Sequence, residues 1–263
     1  MNAQIFVIGN EILDGDVKDV NSSWLSEQIT GLGGIVKEIT ILRDDLDVIC
    51  RKVITSIKDR PSLLLIAGGL GPTIDDCTLE AVARATNCAI VQNQEAVAMV
   101  RSKYEELHLK GFVKSSQLTD ARLKMGLVPL GSELLKNPVG VAPGVLIRLD
   151  STMIVCLPGV PEEMRAIFTV SLVPVLDKLL GNRKFLNTEV ITNINDESFL
   201  APILQDISFS HPDVYIKSRV RRFGTDENIL ITLSSRGQER TQVENKLYAA
   251  VESLRARIPI KKK

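Results

Sequence analysis

The stretch Ala67-Gly-Gly-Leu-Gly-Pro-Thr-Ile-Asp-Asp-Cys-Thr78 constrains this chain more than any other. An apolar run from Ser62 to Ala67 leads into it after Pro61, and a helix-forming segment, Leu79 to Ala85, leads out. A short apolar run bounded by turn residues reads as a buried strand. Strand, glycine turn and helix in that order define an α/β unit. Gly68, Gly69 and Gly71 can take positive φ and let a backbone or a ligand come close. The helix start offers unpaired N–H groups and a positive partial charge, which suits phosphate. Asp75 and Asp76 set two carboxylates at the same mouth. Phosphate donors beside metal-binding carboxylates point to a nucleotide or a similar phosphate ester.

The chain before this loop repeats the pattern. Gln4 to Gly9 reads as a first buried strand, followed by the loop Gly9–Gly15 with Glu11, Asp14 and Asp16. Asn21 is a plausible N-cap for a helix carrying Leu25, Ile29 and Leu32 on one face, stopped by Gly33-Gly34. Ile35 to Leu42 reads as strand two. Arg43-Asp44-Asp45 then caps a helix with Leu46, Ile49, Val53 and Ile57 on one side. Strand–helix alternation predicts a mostly parallel sheet with helices on both faces. Ligands of such sheets sit at the carboxyl ends of strands. The loops at 9–15, 43–45 and 68–76 should therefore meet on one edge.

Beyond Thr86 the sequence predicts a short strand at Ala89–Val91 and two helices, Glu95–Leu109 and Ser115–Met125. Extended chain follows over Leu127–Leu135, and then a second Gly/Pro-rich loop, Asn137–Gly144. A hairpin comes next, Val145–Leu149 and Met153–Leu157, with a helix opened by Pro161 after it. These elements make a first domain over 1–180, with a boundary at Gly181–Lys184. Residues 185–260 read as a small α+β domain, ordered strand, helix, strand, strand, helix. Lys261–Lys263 reads as a solvated tail.

Each candidate residue has a plainer role beside the chemical one. Asp75 or Asp76 could be a helix cap, and Thr78 competes for that place. One of Asp44 and Asp45 should cap the Leu46 helix and leave the other to face the site; Asp44 and Asp76 together meet the carboxylate count of Mg²⁺. Asn137 and the Pro-Gly pairs at Pro143-Gly144 and Pro158-Gly159 read by default as turns. Cys77 lies at a helix start, which can lower a thiol pKa, but a small packing residue is the simpler reading. His108 and His211 have no Cys or second His nearby, so neither is assigned to catalysis.

The 32 Lys and Arg balance the 32 Asp and Glu, so no basic surface for nucleic acid is indicated. The basic stretch Lys217–Phe223 reads as a solvated strand face, with a nucleic-acid contact as the sharper alternative. Four cysteines without Cys-x-x-Cys spacing suggest reduced thiols in a cytosol. The apolar start is too short for a signal peptide, and no run approaches the roughly 20 apolar residues of a membrane span. A soluble cytoplasmic protein is expected.

Five motifs in order, Gly9-x-Glu-x-Leu-x-Gly15, Asp44, the 68–78 loop, Asn137-Pro-Val-Gly-x-Ala-Pro-Gly144 and Leu157-Pro-Gly-Val-Pro-x-Glu-Met164, resemble the N-terminal part of the CinA (competence/damage-inducible) proteins. That part has the MoaB/Mog-like molybdopterin-binding fold, and the second domain looks like the small KH-type domain that follows it. The resemblance implies a three-layer α/β/α domain and a metal-dependent ADP-ribose pyrophosphatase. It implies Asp44 and Asp76 as the acids that handle metal or phosphate, with Mg²⁺ or a transition ion as cofactor. Asp75, Glu11 or Glu80 could accept the proton of the attacking water. Gly68, Gly69, Leu70, Gly71, Pro72 and Thr73 would hold the diphosphate. Gly9, Glu11, Asn21, Asn137, Gly140, Pro143, Gly144, Pro158 and Gly159 would complete the ligand site. A nucleotide or pterin phosphate ester is the expected ligand, no membrane partner is expected, and a homo-oligomer is. The C-terminal amidase domain of CinA proteins is not expected here. Val141 departs from the family's Thr, and Asn10 from its Thr or Asp. The alternative function is a molybdopterin-binding or adenylyl-transfer module.

Overall fold

The computed structural model describes residues 1–180, 184–219 and 228–260. The chain divides into two compact units, one made of Met1–Ile29 with Gly34–Leu179, the other of Thr30–Gly33 with Leu180–Lys263.

In the first unit β1 (Asn2–Ile8) leads to a short helix α1 (Asn10–Leu13), then α2 (Asn21–Gly31), β2 (Ile35–Leu42), α3 (Leu46–Asp59), β3 (Leu63–Ala67) and α4 (Thr78–Ala85). Next come β4 (Ile90–Gln92), α5 (Gln94–Leu109), α6 (Asp120–Lys124), β5 (Leu127–Pro129) and β6 (Glu133–Leu135). The hairpin β7 (Gly144–Leu149) and β8 (Thr152–Leu157) is followed by α7 (Pro161–Ile167). A π-helical segment, Phe168–Leu172, joins α7 to α8 (Val173–Leu180). The main sheet runs β2-β1-β3-β8-β7-β6. The first four strands are parallel, β7 pairs antiparallel with β8, and β6 pairs antiparallel with β7.

Strand residues alternate in facing, so a strand buried along its whole length must be covered on both faces. β3 is buried at all five positions. Phe6, Leu64, Ile66, Ile154 and Cys156 pack on one face with Ile49 and Val53 of α3 and Ala81 and Val82 of α4. The intervening Ile5, Leu65 and Val155 are equally buried. The fold is the mostly parallel α/β arrangement expected, with an antiparallel edge. Covering both faces leaves the sheet's carboxyl edge as the place where loops gather.

Four local expectations are corrected. The 9–15 loop contains the helical turn α1. The helix expected at 115–125 is confined to Asp120–Lys124, where Thr119 supplies the cap by accepting from Arg122 N. Asn21 does not cap α2; the Asp19 carboxylate accepts from the N–H groups of Asn21 and Ser22, both at 3.0 Å. Thr78 does not cap α4 either. Its fully buried hydroxyl donates to the Gly68 carbonyl at 2.8 Å.

The second unit has β9 (Lys184–Thr192), α9 (Glu197–Ser210), β10 (Val214–Arg219), β11 (Ile229–Gly237) and α10 (Arg240–Arg255). Its antiparallel sheet runs β10-β11-β9. Leu200, Ile231, Leu233, Val243 and Leu254 form its core. The expected boundary at 181–183, the end of the basic stretch at 220–223 and the tail at 261–263 lie outside the described residues. Among the described residues no helix is long and apolar enough to cross a membrane.

Candidate active site

The carboxyl ends of β1, β2 and β3 converge. Gly9 N donates to the Leu42 carbonyl at 3.1 Å, tying the end of β1 to that of β2. The two aspartates after β2 divide the work. Asp45 caps α3 by accepting from Val48 N at 2.8 Å, while Asp44 accepts from Asn10 N at 2.8 Å and faces the loops. Gly68 N donates to the Leu157 carbonyl at 3.0 Å, which holds the glycine loop to the end of β8. Gly68 (φ 117°) and Gly69 (φ 67°) occupy positive φ, as the turn requires. A Cβ on Gly68 would overlap the Ile8 carbonyl oxygen.

The result is a cavity of about 470 Å³. One wall carries Gly9, Glu11, Asp44, the run Gly68–Pro72, Asp75 and Asp76. Among the described residues the N–H groups of Gly69, Leu70 and Gly71 have no protein acceptor. Unpaired amides beside a cavity are ready to bind an anion. Asp76 is braced at the loop tip, where its Oδ2 accepts from Thr73 N at 2.8 Å and lies 2.5 Å from the Thr73 hydroxyl. The same hydroxyl is 2.5 Å from Asp75 Oδ1. Lys124 Nζ donates to the Thr73 carbonyl. Neither Asp75 nor Asp76 caps α4.

The charges on this wall repel one another. Burial pushes the half-buried Asp44 carboxyl above the usual range, the Asn10 N–H opposes this, and Glu11, Asp75 and Asp76 add to the rise. The Thr73 hydroxyl holds Asp75 below its ordinary value. The Cys77 thiol is pushed up, by burial first and then by Asp44, so the helix start does not activate it. Burial alone takes Cys156 up to about 12.

The rest of the lining comes from the 137–144 loop and the segment after β8: Val141, Ala142, Pro158, Gly159, Val160 and Glu163, with Tyr104 of α5 and Met125. Asn137 organises it. Its Oδ1 accepts from Val139 N and Gly140 N at 3.2 and 2.8 Å. Its Nδ2 donates to the Ala142 carbonyl at 2.9 Å and to Glu163 Oε2 at 2.7 Å.

Not every residue singled out in the sequence lines this cavity. Asn21 is buried beneath it and donates from Nδ2 to the Gly159 carbonyl at 2.7 Å. Thr73 braces the acids from behind. Glu80 lines a smaller cavity of about 230 Å³, with Leu79, Ile90, Lys124 and Leu127, which shares Gly69, Leu70, Gly71 and Asp76 with the first. Asn137, Gly140 and Pro143 line a separate cavity of about 510 Å³ against α5. Gly144 is buried as the first residue of β7. The sequence reasoning passed over Tyr104, Met125, Val160 and Glu163. Glu163 stood in view in the Pro161-Glu-Glu-Met164 segment; Tyr104 and Met125 carried no signal.

Comparison with known proteins fits this geometry. Residues 4–178 match the family described as "Probable molybdopterin binding domain". A relative from Pyrococcus furiosus is 36% identical over 257 residues, covering 98% of this chain and 97% of its own. A protein named as competence-damage inducible from Halothermothrix orenii is 32% identical over 258 residues, and the match spans 98% of this chain but 59% of that one. The crystal structure of a protein named CinA from Thermoplasma acidophilum aligns with a TM-score of 0.59 at 32% identity, over 68% of this chain and 97% of that one. The chain therefore belongs to the molybdopterin-binding domain family, and within it to the CinA-like proteins with a MoaB/Mog-like domain.

Proposed function

We propose that this cavity hydrolyses the pyrophosphate bond of a nucleotide diphosphate ester in a metal-dependent reaction, with ADP-ribose giving AMP and ribose 5-phosphate. One observation carries the reading: unpaired amides at Gly69–Gly71 stand in the same wall as Asp44 and Asp76. The amides hold the diphosphate oxygens. The donor set suits a hard divalent ion such as Mg²⁺, or a transition ion. Among the described residues no group of three or more His, Cys, Asp or Glu forms a complete metal cage. Mg²⁺ needs only one or two carboxylates, with phosphate and water filling its remaining positions. Asp44 and Asp76 would hold it, and a cation there would offset both the burial and the acidic neighbours that raise Asp44. When bound, the ion polarises a phosphoryl oxygen and makes water more acidic. Water attacks one phosphorus, the bridging oxygen leaves with the other phosphate, and a carboxylate takes the proton. Glu11 and Asp75 are the acceptors on this wall. The proposed enzyme is a cytoplasmic homo-oligomer, an assembly checked by sedimentation.

AMP release from ADP-ribose, followed by chromatography with Mg²⁺, Mn²⁺, Co²⁺, Ni²⁺ and Zn²⁺ in turn, tests this reading. Activity with at least one metal, lost in chelator, is expected. No AMP with any of them overturns it.

The family match over residues 4–178 favours a second reading, a molybdopterin-binding or adenylyl-transfer module. Pterin fluorescence titration decides between the two. Affinity for pterin without affinity for ADP-ribose puts the second in place of the first.

A further inference from the structure

We propose that Glu163 is the sugar-recognition residue of this cavity, its carboxylate accepting the hydroxyls of a ribose that carries a phosphate. The inference rests on the reading above, that the ligand is a ribose phosphate ester.

Glu163 is the third residue of α7. A glutamate there ordinarily turns back to the N–H of the capping residue. Here that residue is Val160, and no such bond forms among the described residues. The carboxylate instead reaches across to Asn137, which donates to Oε2 at 2.7 Å. Asn137 cannot turn its amide over, because its Oδ1 already accepts from two loop N–H groups. Gly140 completes the seat: a Cβ at that position would overlap the Glu163 carboxyl. A loop residue and a glycine thus fix one carboxylate oxygen and leave the other, Oε1, without a protein partner among the described residues.

A carboxylate set in this way accepts hydrogen bonds and donates none. Glu163 lines the cavity together with the apolar Val141, Ala142, Pro158 and Val160. The acids that raise Asp44 are Glu11, Asp75 and Asp76, and Glu163 is not among them. A carboxylate with a free oxygen, in the same cavity as the unpaired amides and several apolar groups, suits a sugar: hydroxyls reach the carboxylate and C–H faces meet the apolar groups. Acidic residues recognise ribose hydroxyls in the same way in dinucleotide-binding folds.

The test is calorimetric titration with ribose 5-phosphate and with 2-deoxyribose 5-phosphate. Wild type should prefer the ribose compound by about tenfold, the scale of one charge-assisted hydrogen bond. Glu163→Ala and the same-sized Glu163→Gln should bring the two affinities within about twofold while affinity for the deoxy compound holds. Glu163→Gln guards against a folding defect, checked by thermal melting. A preference that persists in both variants, no preference in wild type, or binding of neither compound overturns the assignment. A wild type that prefers ribose yet releases no AMP from ADP-ribose sinks the hydrolase reading and leaves the sugar assignment standing.

Discussion

The wall of the cavity built on β1, β2 and β3 rests largely on backbone: Asp44 takes the Asn10 N–H, Asp76 takes the Thr73 N–H as well as the Thr73 hydroxyl, and Gly68 hangs on the Leu157 carbonyl. The wall built on the 137–144 loop holds its acid through a side chain, the Asn137 amide against Glu163. Both use glycine to make room. A Cβ on Gly9 would lie 2.6 Å from Glu11 Oε1, and one on Gly71 would lie 2.6 Å from Asp76 Oδ2. On the first wall, however, Gly68 also gives way to backbone. One side is therefore dictated by sheet topology. The other is a local device that can change without disturbing the fold, which suits a surface that chooses among ligands.

The contrast can be broken most directly at Asp76. Asp76→Ala should lower AMP release by on the order of 10²-fold or more, since several kcal/mol of electrostatic stabilisation would go with it. A loss of less than about fivefold would remove Asp76 from the chemistry.

Two glycine substitutions sharpen the comparison. Gly68→Ala meets both a positive φ and the immovable Ile8 carbonyl, and should cost about 3 kcal/mol or more. Gly140→Ala meets only the end of the Glu163 side chain, which can swing away, and should cost about 1–2 kcal/mol. It should also erase the ribose preference. Urea unfolding measures both, and equal costs would contradict the division of the walls into backbone and side-chain construction.

The smallest effect is expected at Asp44, whose carboxyl is raised above 3.8 by burial and by its acidic neighbours. A raised acid gives its full contribution to stability below its unfolded value, and this contribution is lost as pH climbs through the folded value. At neutral pH the charged group therefore opposes folding. In metal-free protein Asp44→Asn should raise stability by no more than about 1 kcal/mol, discounted for partial solvent screening. The gain should vanish below about pH 3, where Asp44 is protonated in both states. Thermal melting across pH checks this, and a lower melting temperature at pH 7 would refute the repulsive cluster.

Much of the first wall was legible in the sequence because topology does the work there. Strand ends followed by glycine or aspartate fixed where loops 9–15, 43–45 and 68–76 would gather. The sequence could not say which polar side chain caps a helix and which faces the cavity. Asp45 and Asp44 separated as one of two open readings. Thr78 and Asn21 went the other way, each spending its polar group on a distant carbonyl, of Gly68 and of Gly159. Glu163 stood in a quoted motif, but its role was not legible for the same reason. Its partner Asn137 is 26 positions away, and nothing in local spacing announces the pair. Tyr104 enters from α5 and Met125 from the turn after α6, far in sequence from the loops they meet.

A crystal structure of Asp76→Ala with ADP-ribose tests the central claim most directly. The account predicts the diphosphate on the Gly69, Leu70 and Gly71 amides, with one ribose against Glu163. Ligand found only in the cavity beside α5, or on the second unit with this cavity empty, would contradict it.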